Sequence, residues 1–284
     1  MPAKMIDGRA IAAEIRNDLI GRTTALHEAG IHPRLLIVEV GSDPSIDSYV
    51  VALERAGAKV GIDIGVERLP KDVTAQDVRE RLIRAGADDA THGVLLQQPL
   101  PPHLSIRAIA DSMPVHKDVD GTHPTNQGHL AFGRQPEFVP ATPAAVMTLL
   151  ERSPSWPLTG KRAVMIGRSA VVGLPVATLM LAQNATVTVL HRSSLSMQPY
   201  TQLADVVVVA VGVPGLITGS MFAPGATVID VGTTPVNGEM KGDVDFESAF
   251  ESAGAITPVP GGVGPVTNMA LLRNVIKAAE GKLR

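Results

Sequence analysis

Cysteine is absent from the 284 residues, which excludes disulfides, thiolate nucleophiles and cysteine-ligated metals. Aromatic residues are scarce at 3%, with one Trp and two Tyr, so the core has to be built from Val, Ile, Leu and Ala. No apolar run approaches the ~18 residues of a spanning helix. Lys4, Asp7 and Arg9 fall where a signal segment would need apolar residues. Charge is almost balanced, at net −3 with acids and bases interspersed. A nucleic-acid surface and a membrane patch are therefore not expected, and no metal-ligand set stands out. These absences predict a soluble, cytoplasmic protein, and 284 residues allow one large or two ordinary domains.

What is present is concentrated in the run Ala163 to Pro175. Ala163–Ile166 reads as a buried strand, Gly167 to Gly173 as a tight turn, and Pro175 to Ala182 as the following helix. A strand, a glycine turn and a helix N-terminus together present N–H groups and a positive dipole end to an anion. In a doubly wound sheet that is the place of a dinucleotide pyrophosphate. The spacing is G-x-S-x-x-x-G and not the common G-x-G-x-x-G, and an ordinary βα turn would read the same way.

Two blocks of alternating strand and helix signals flank a looser stretch. The first predicts a helix over Ile11–Ala29, a strand over Leu35–Val40, a helix over Ile46–Val60 and a strand over Ile62–Leu69. A helix capped by Thr74 and a short strand Gly93–Leu96 follow. Residues 113–141 show little periodicity and predict a crossing loop. Thr142-Pro143 predicts an N-cap and first residue for a helix Ala144–Glu151. The second block predicts strands at Ala163–Ile166, Thr186–Leu190, Val206–Val211, Thr227–Val231 and Ala255–Ile256, rich in Val and Ile as in parallel strands covered on both faces. A final helix is predicted over Met269–Ala279.

After a second Rossmann-type strand an acid would bind the ribose 2′-hydroxyl of NAD. This chain offers His191-Arg192-Ser193 there, and a guanidinium fork suits a 2′-phosphate. NADP is therefore expected, although a basic surface turn would look alike. Thr257 to Pro265 packs three glycines and three prolines into nine residues. That run fixes a backbone path open to close approach, or serves as a rigid turn between domains.

Taken together, these residues resemble the bifunctional methylenetetrahydrofolate dehydrogenase/methenyltetrahydrofolate cyclohydrolase family. The matching runs are Gly41–Ser45 with Ser48-Tyr49-Val50, Gly93–Pro101, Lys117–Gly121, His123–Asn126, Gly167–Gly173, Val228–Gly232, Gly242-Asp243-Val244 and Thr257–Thr267. They cover essentially the whole chain in order. The resemblance implies a folate-binding α/β domain (1–141 plus 268–284) and an NADP-binding Rossmann domain (142–267) around a cleft, in a homodimer. It implies catalytic roles for Tyr49, Gln97 and Asp120, with Tyr49 stacking on the aminobenzoate ring and Asp120 accepting hydrogen bonds from the pterin. It places folate also at Pro258, Gly261 and Gly262. The cofactor falls at Gly167, Arg168, Ser169, Val172, Gly173, His191, Arg192, Ser193, Gly212 and Thr233. On the residues alone, Tyr49 reads equally as a core tyrosine, and Asp118–Gly121 as an Asx-type turn or a Mg²⁺ pair.

One departure matters. The resemblance places a lysine, tuned by the glutamine matched by Gln97, one helical turn after the tyrosine. This chain has Leu53 there, sharing a face with Tyr49 by i, i+4 spacing. Glu54 and Arg55 point about 100° and 200° away. Gln98, Ala141 and Thr234 also depart from the usual leucine, cysteine and asparagine. Hydride transfer from the methylene carbon needs positioning and nitrogen lone-pair push, whereas water attack on the methenyl cation needs a base, worth ~10²–10⁴-fold. The expectation is an NADP-dependent methylenetetrahydrofolate dehydrogenase of one-carbon metabolism with cyclohydrolase activity in doubt. A paralogue acting on another one-carbon carrier or cyclic amine, and a silent NADP- or folate-binding protein, are the alternatives.

Overall fold

The computed structural model describes residues 2–41 and 44–283. The chain divides into two compact units, one of residues 1–13 and 142–267, the other of 14–141 and 268–284. This corrects the expected boundary, because the first residues join the second α/β block. The reason is local: strand β1 (Lys4–Met5) pairs in parallel with a strand at Ala255–Ile256, a pairing that two exposed residues do not announce.

The unit 14–141 with 268–284 is built on three parallel strands, β2 (Arg34–Val40), β3 (Asp63–Leu69) and β4 (Gly93–Leu96), in the order β3-β2-β4. Side chains alternate between the faces of a strand. Leu36, Val38, Val40, Val94 and Leu96 form a buried cluster with Val78, Leu82 and Ala85 of the helix Ala75–Ala87. That helix is capped as expected, Thr74 accepting from the Asp77 N–H at 3.2 Å. The other face carries the helix Pro44–Val60. Gly57 lies so close to it that a Cβ would sit 2.5 Å from Ile64 Cδ1.

Residues 113–141 are more ordered than expected. A 3₁₀ turn spans Val115–Lys117 and a helix spans Pro124–Ala131. The helix is started by Pro124 and by His123, which accepts from the Thr125 N–H, where polar composition had masked its period. The next helix runs Ala141–Glu151, so Thr142 and Pro143 lie in its first turn and Thr142 is not its cap.

In the other unit, β5 (Arg162–Ile166), β6 (Thr186–Leu190), β7 (Val206–Val209), β8 (Thr227–Asp230) and β11 (Ala255–Ile256) join β1 in one six-stranded sheet. Its order is β1-β11-β8-β7-β5-β6 and every pairing is parallel. All four residues of β7 are buried, as a doubly covered strand requires. A hairpin of β9 (Thr234–Val236) and β10 (Glu239–Lys241) stands apart. Asn237 and Gly238, at φ +52 and +84, make its two-residue turn, an Asn-Gly signal for paired positive φ that the strand reading passed over. The helix expected from Pro175 starts at Gly173. The final helix runs Val263–Glu280, starting six residues early with Pro265 in its first turn, where its missing N–H does no harm. Among the described residues no helix is long and apolar enough to cross a membrane.

Asn274 of that helix is buried, and its Nδ2 donates to Val119 O at 2.8 Å and Val139 O at 3.0 Å, on either side of Asp120 in sequence. Replacing it by Leu strands two carbonyls, so Asn274→Leu is expected to lower unfolding free energy by about 2–4 kcal/mol in urea. A loss under about 0.5 kcal/mol, typical of surface changes, would contradict that anchoring.

Candidate active site

In the six-stranded sheet the chain leaves β5 toward β6 on one side and resumes with β7 on the other. Ligands of open parallel sheets bind at such a reversal, beyond the carboxyl ends of the strands. A cavity of about 470 Å³ opens there, lined by residues after β5 (Gly167, Arg168, Ser169), after β6 (His191, Arg192) and after β7 (Ala210, Val211, Val213). Five of the ten residues expected at the cofactor are thus brought together.

Gly167 has φ +121, and a Cβ there would lie 2.2 Å from Ala210 O; one at Gly173 would lie 2.4 Å from Gly167 O. The turn closes only because both are glycine. Ser169 caps it, its Oγ accepting from Val172 N–H and Gly173 N–H, both at 3.2 Å. This revises the expectation that the helix start offers free N–H groups to an anion: these two donors are taken by Ser169. Val172 and Gly173 therefore shape the turn, and the side chains of Arg168 and Arg192 are both exposed. The 191–194 turn is tied by His191 N–H to Ser194 Oγ at 3.0 Å and Ser193 N–H to His191 Nδ1 at 3.2 Å, leaving Ser193 exposed beside Arg192. Gly212, at φ +70, spends its N–H on Asp243 Oδ2 at 2.9 Å.

Thr233 lies elsewhere. It lines a second cavity of this unit, about 170 Å³, with Arg9, Asp230, Pro258, Gly261 and Gly262. It thus shares a wall with the three residues expected at the folate. Asp230 was missed as a functional candidate. Its carboxylate accepts from Gly232 N–H (2.9 Å), Asp243 N–H (3.0 Å) and Val244 N–H (2.9 Å), and its own N–H donates to Thr257 Oγ1 at 2.8 Å. Burial pushes its carboxyl up to about 6, against the pull of those N–H groups. A lone acid ending the apolar strand Val228-Ile229-Asp230 was the available signal, since carboxylates are seldom buried without partners. Arg9 was missed as well, for an arginine in a first helical turn is ordinarily solvated.

The other unit holds Tyr49, Leu53, Gln97 and Asp120. Tyr49 is half-buried on the helix Pro44–Val60, and Leu53, one turn on, is 0% exposed. Glu54 and Arg55 are exposed. Of the matching run Gly41–Ser45, Ser42 and Asp43 lie outside the described residues. Gln97, at the carboxyl end of β4, is buried; its Nε2 donates to Gln98 O at 2.6 Å, while its Oε1 and the Gln98 Nε2 have no partner among the described residues.

Asp118 and Asp120 divide their work. Asp118 is fully buried and accepts from Thr122 N–H (3.0 Å), Thr122 Oγ1 (3.1 Å), His123 N–H (2.8 Å) and Asn126 Nδ2 (2.8 Å). It is the staple of the turn, the Asx-like reading left open by the sequence. Asp120 is half-buried, and burial, then the Asp118 charge, push its carboxyl up to about 7 against one N–H from Ala141. Burial, and next the Asp120 charge, raise the Tyr49 phenol. A carboxylate and a phenol within electrostatic reach, both shifted by desolvation, form a functional-site candidate on physical grounds.

Comparison with known proteins agrees along the whole chain. Residues 6–120 match the catalytic domain, and 140–283 the NAD(P)-binding domain, described as tetrahydrofolate dehydrogenase/cyclohydrolase. The bifunctional protein FolD of Staphylococcus aureus is 45% identical over 279 residues, 98% of this chain and 97% of the relative. The FolD structure from Campylobacter jejuni superposes with a TM-score of 0.94 at 38% identity, covering 99% of each chain. That of Trypanosoma brucei, solved with NADP and an inhibitor, also scores 0.94 at 38% identity, covering 100% of this chain and 99% of its own. The chain belongs to the tetrahydrofolate dehydrogenase/cyclohydrolase family.

Proposed function

We propose that the protein oxidises 5,10-methylenetetrahydrofolate to the methenyl form with NADP as hydride acceptor, and hydrates the methenyl product to 10-formyltetrahydrofolate only slowly. The observation that carries the first half is the crevice at the β5/β7 reversal, with a glycine-only turn and Arg168, His191 and Arg192 on its wall. A backbone cradle that a Cβ would fill, rimmed by guanidinium groups, fits a dinucleotide with an added phosphate. Bound there, NADP supplies the hydride-accepting ring. The chain's own residues position the reactants: Arg168 and Arg192 pair with phosphate, and Ser169, Val172 and Gly173 keep the turn narrow.

On the folate side Tyr49 offers an aromatic face, worth ~0.5–1.5 kcal/mol beyond burial when stacked. Asp120, once ionised, accepts N–H donors of the pterin. Within the six-stranded unit, Gly261 and Gly262 line the second cavity with backbone free of side-chain bulk. Tetrahydrofolate derivatives are accordingly the substrate class. Hydration releases a proton as the C–O bond forms, and Leu53 has nothing to take it. Its burial supports slow hydration, because a packed aliphatic side chain also leaves no obvious space for a substitute base. A homodimer through the six-stranded unit and a cytoplasmic location belong to the same proposal. Support for the dimer comes from the sheet-edge strand β6, whose Val187 and Val189 are half-exposed, and from exposed Leu174 and Leu181 on the helix Gly173–Ala182.

Two measurements test these roles. Leu53→Lys is expected to raise methenyl hydrolysis by about 10²-fold, the usual scale of a restored general base, with NADPH formation changed by less than about tenfold. Equal hydrolysis in the wild type and the variant would show that Leu53 does not limit that step. The second is a pH profile. Asp120 accepts pterin donors through both oxygens only when ionised, and its carboxyl is raised to about 7. Dehydrogenase kcat/KM should therefore rise from about pH 6 to about pH 8 and flatten above, and Asp120→Asn should abolish the rise. The same shift bears on stability. Folding raises this carboxyl from its ordinary 3.8 to about 7, so the folded state holds the proton more tightly and loses stability as pH climbs from about 4 to about 7. Urea unfolding of the unliganded protein should show that decline in the wild type and a smaller one in Asp120→Asn.

A further inference from the structure

The run Gly242-Asp243-Val244 takes no part in the chemistry above, yet it fastens the loop that forms one wall of the dinucleotide crevice. That loop, residues 211–217, follows β7 and contributes Val211, Val213 and Leu216 to the cavity. Asp243 Oδ2 accepts from two successive N–H groups at its start, Val211 at 2.6 Å and Gly212 at 2.9 Å. The positive φ of Gly212 belongs to a bend in which consecutive amides converge on one oxygen. The far end is held by main chain, Gly215 N–H to Gly242 O at 3.1 Å and Ile217 N–H to Asp243 O at 3.1 Å.

The clip is itself fixed from below. Asp230 Oδ1 accepts the Asp243 N–H and Oδ2 the Val244 N–H. The approach is so close that a Cβ on Gly242 would lie 1.9 Å from Asp230 Oδ2, and one on Gly232 would lie 2.2 Å from Asp243 Cγ. Asp243 is 0% exposed, and its buried Oδ1 has no partner among the described residues. A buried carboxylate with an unsatisfied oxygen is an expensive way to hold a loop. What offsets that cost is the pair of bonds made by Oδ2.

We infer that Asp243 is a positioning residue for the nicotinamide cofactor: its carboxylate holds the Val211–Gly212 amides so that the 211–217 loop keeps the crevice in its binding shape. The proposal rests on the dinucleotide reading of that crevice. Gly212 then serves the cofactor through its backbone bend, its N–H being committed to Asp243.

The test combines a variant pair with an observation on the unaltered protein. Titration of the full-length protein with NADP⁺ should give a dissociation constant raised at least about tenfold in Asp243→Ala. The constant should return to within about threefold of wild type in Asp243→Asn, whose carbonyl oxygen can accept the same two N–H groups. In the dehydrogenase assay the loss should appear in the KM for NADP⁺, with kcat at saturating cofactor within about threefold. A purely structural role would instead lower the active fraction and leave KM unchanged. Should Asp243→Ala fail to fold, amide exchange in the wild type decides: Val211 and Gly212 should be protected before any NADP⁺ is added. Wild-type affinity in Asp243→Ala, no recovery in Asp243→Asn, or freely exchanging Val211 and Gly212 amides would each overturn the proposal. Absence of NADP⁺ binding by the wild type would instead remove the cofactor reading beneath it, which the protected amides would distinguish from a failure of the clip.

Discussion

The close approach of the Gly167 backbone to the Ala210 carbonyl is the constraint around which the six-stranded unit is arranged. It lets β5 and β7 end side by side with a crevice beyond them, and no residue with a Cβ tolerates the 2.2 Å separation it would meet. Several local features answer to it. Ser169 absorbs the two N–H groups that the sharp turn leaves at the helix start. The Val-rich β7 stays buried on both sides. The loop after Ala210 needs a separate fastening, which Asp243 provides. At this end the Val172 and Gly173 amides are committed to Ser169, while the Arg168 and Arg192 side chains stand exposed.

Buried carboxylates are the recurring device of the molecule, and they fall into two kinds. Asp118 and Asp243 are wholly enclosed and shape a loop, Asp118 through both oxygens and Asp243 through Oδ2 alone. Asp120 is half-exposed with a single N–H opposing its desolvation, so it alternates between acid and base forms near neutrality. Asp230 stands between, wrapped by three N–H groups yet lining a cavity with Arg9 and the Pro/Gly loop. Against this supply of acids the shortage of a buried cation beside Tyr49 is the more telling, because Leu53 fills that helix position with an apolar side chain.

Much of this was legible in the sequence for identifiable reasons. Val206–Val209 is a strand buried on both faces, so composition alone marks it, and Thr74 announces its helix by a cap three residues before Asp77. The glycine turn and Arg192 marked the crevice because conformation and charge there have few other uses. What escaped is equally specific. β1 is two exposed residues held by the partner strand β11, so no local pattern encodes it. The helix Pro124–Ala131 has little apolar periodicity and depends on His123 and on Asn126 bonding to Asp118. The resemblance set Thr233 at the cofactor, and the structure places it on the cavity lined by Pro258. Asp243 was visible only as part of a motif; its role depends on a loop thirty residues earlier.

The central claim is that oxidation and hydration, joined in the family's name, are separated in this chain by one side chain. The most direct test mixes wild-type protein with methylenetetrahydrofolate and NADP⁺ and follows NADPH and the methenyl compound separately. The account predicts methenyl accumulating nearly one for one with NADPH, then decaying at close to its uncatalysed rate. NADPH formation without methenyl build-up, its product passing directly to 10-formyltetrahydrofolate, would contradict it.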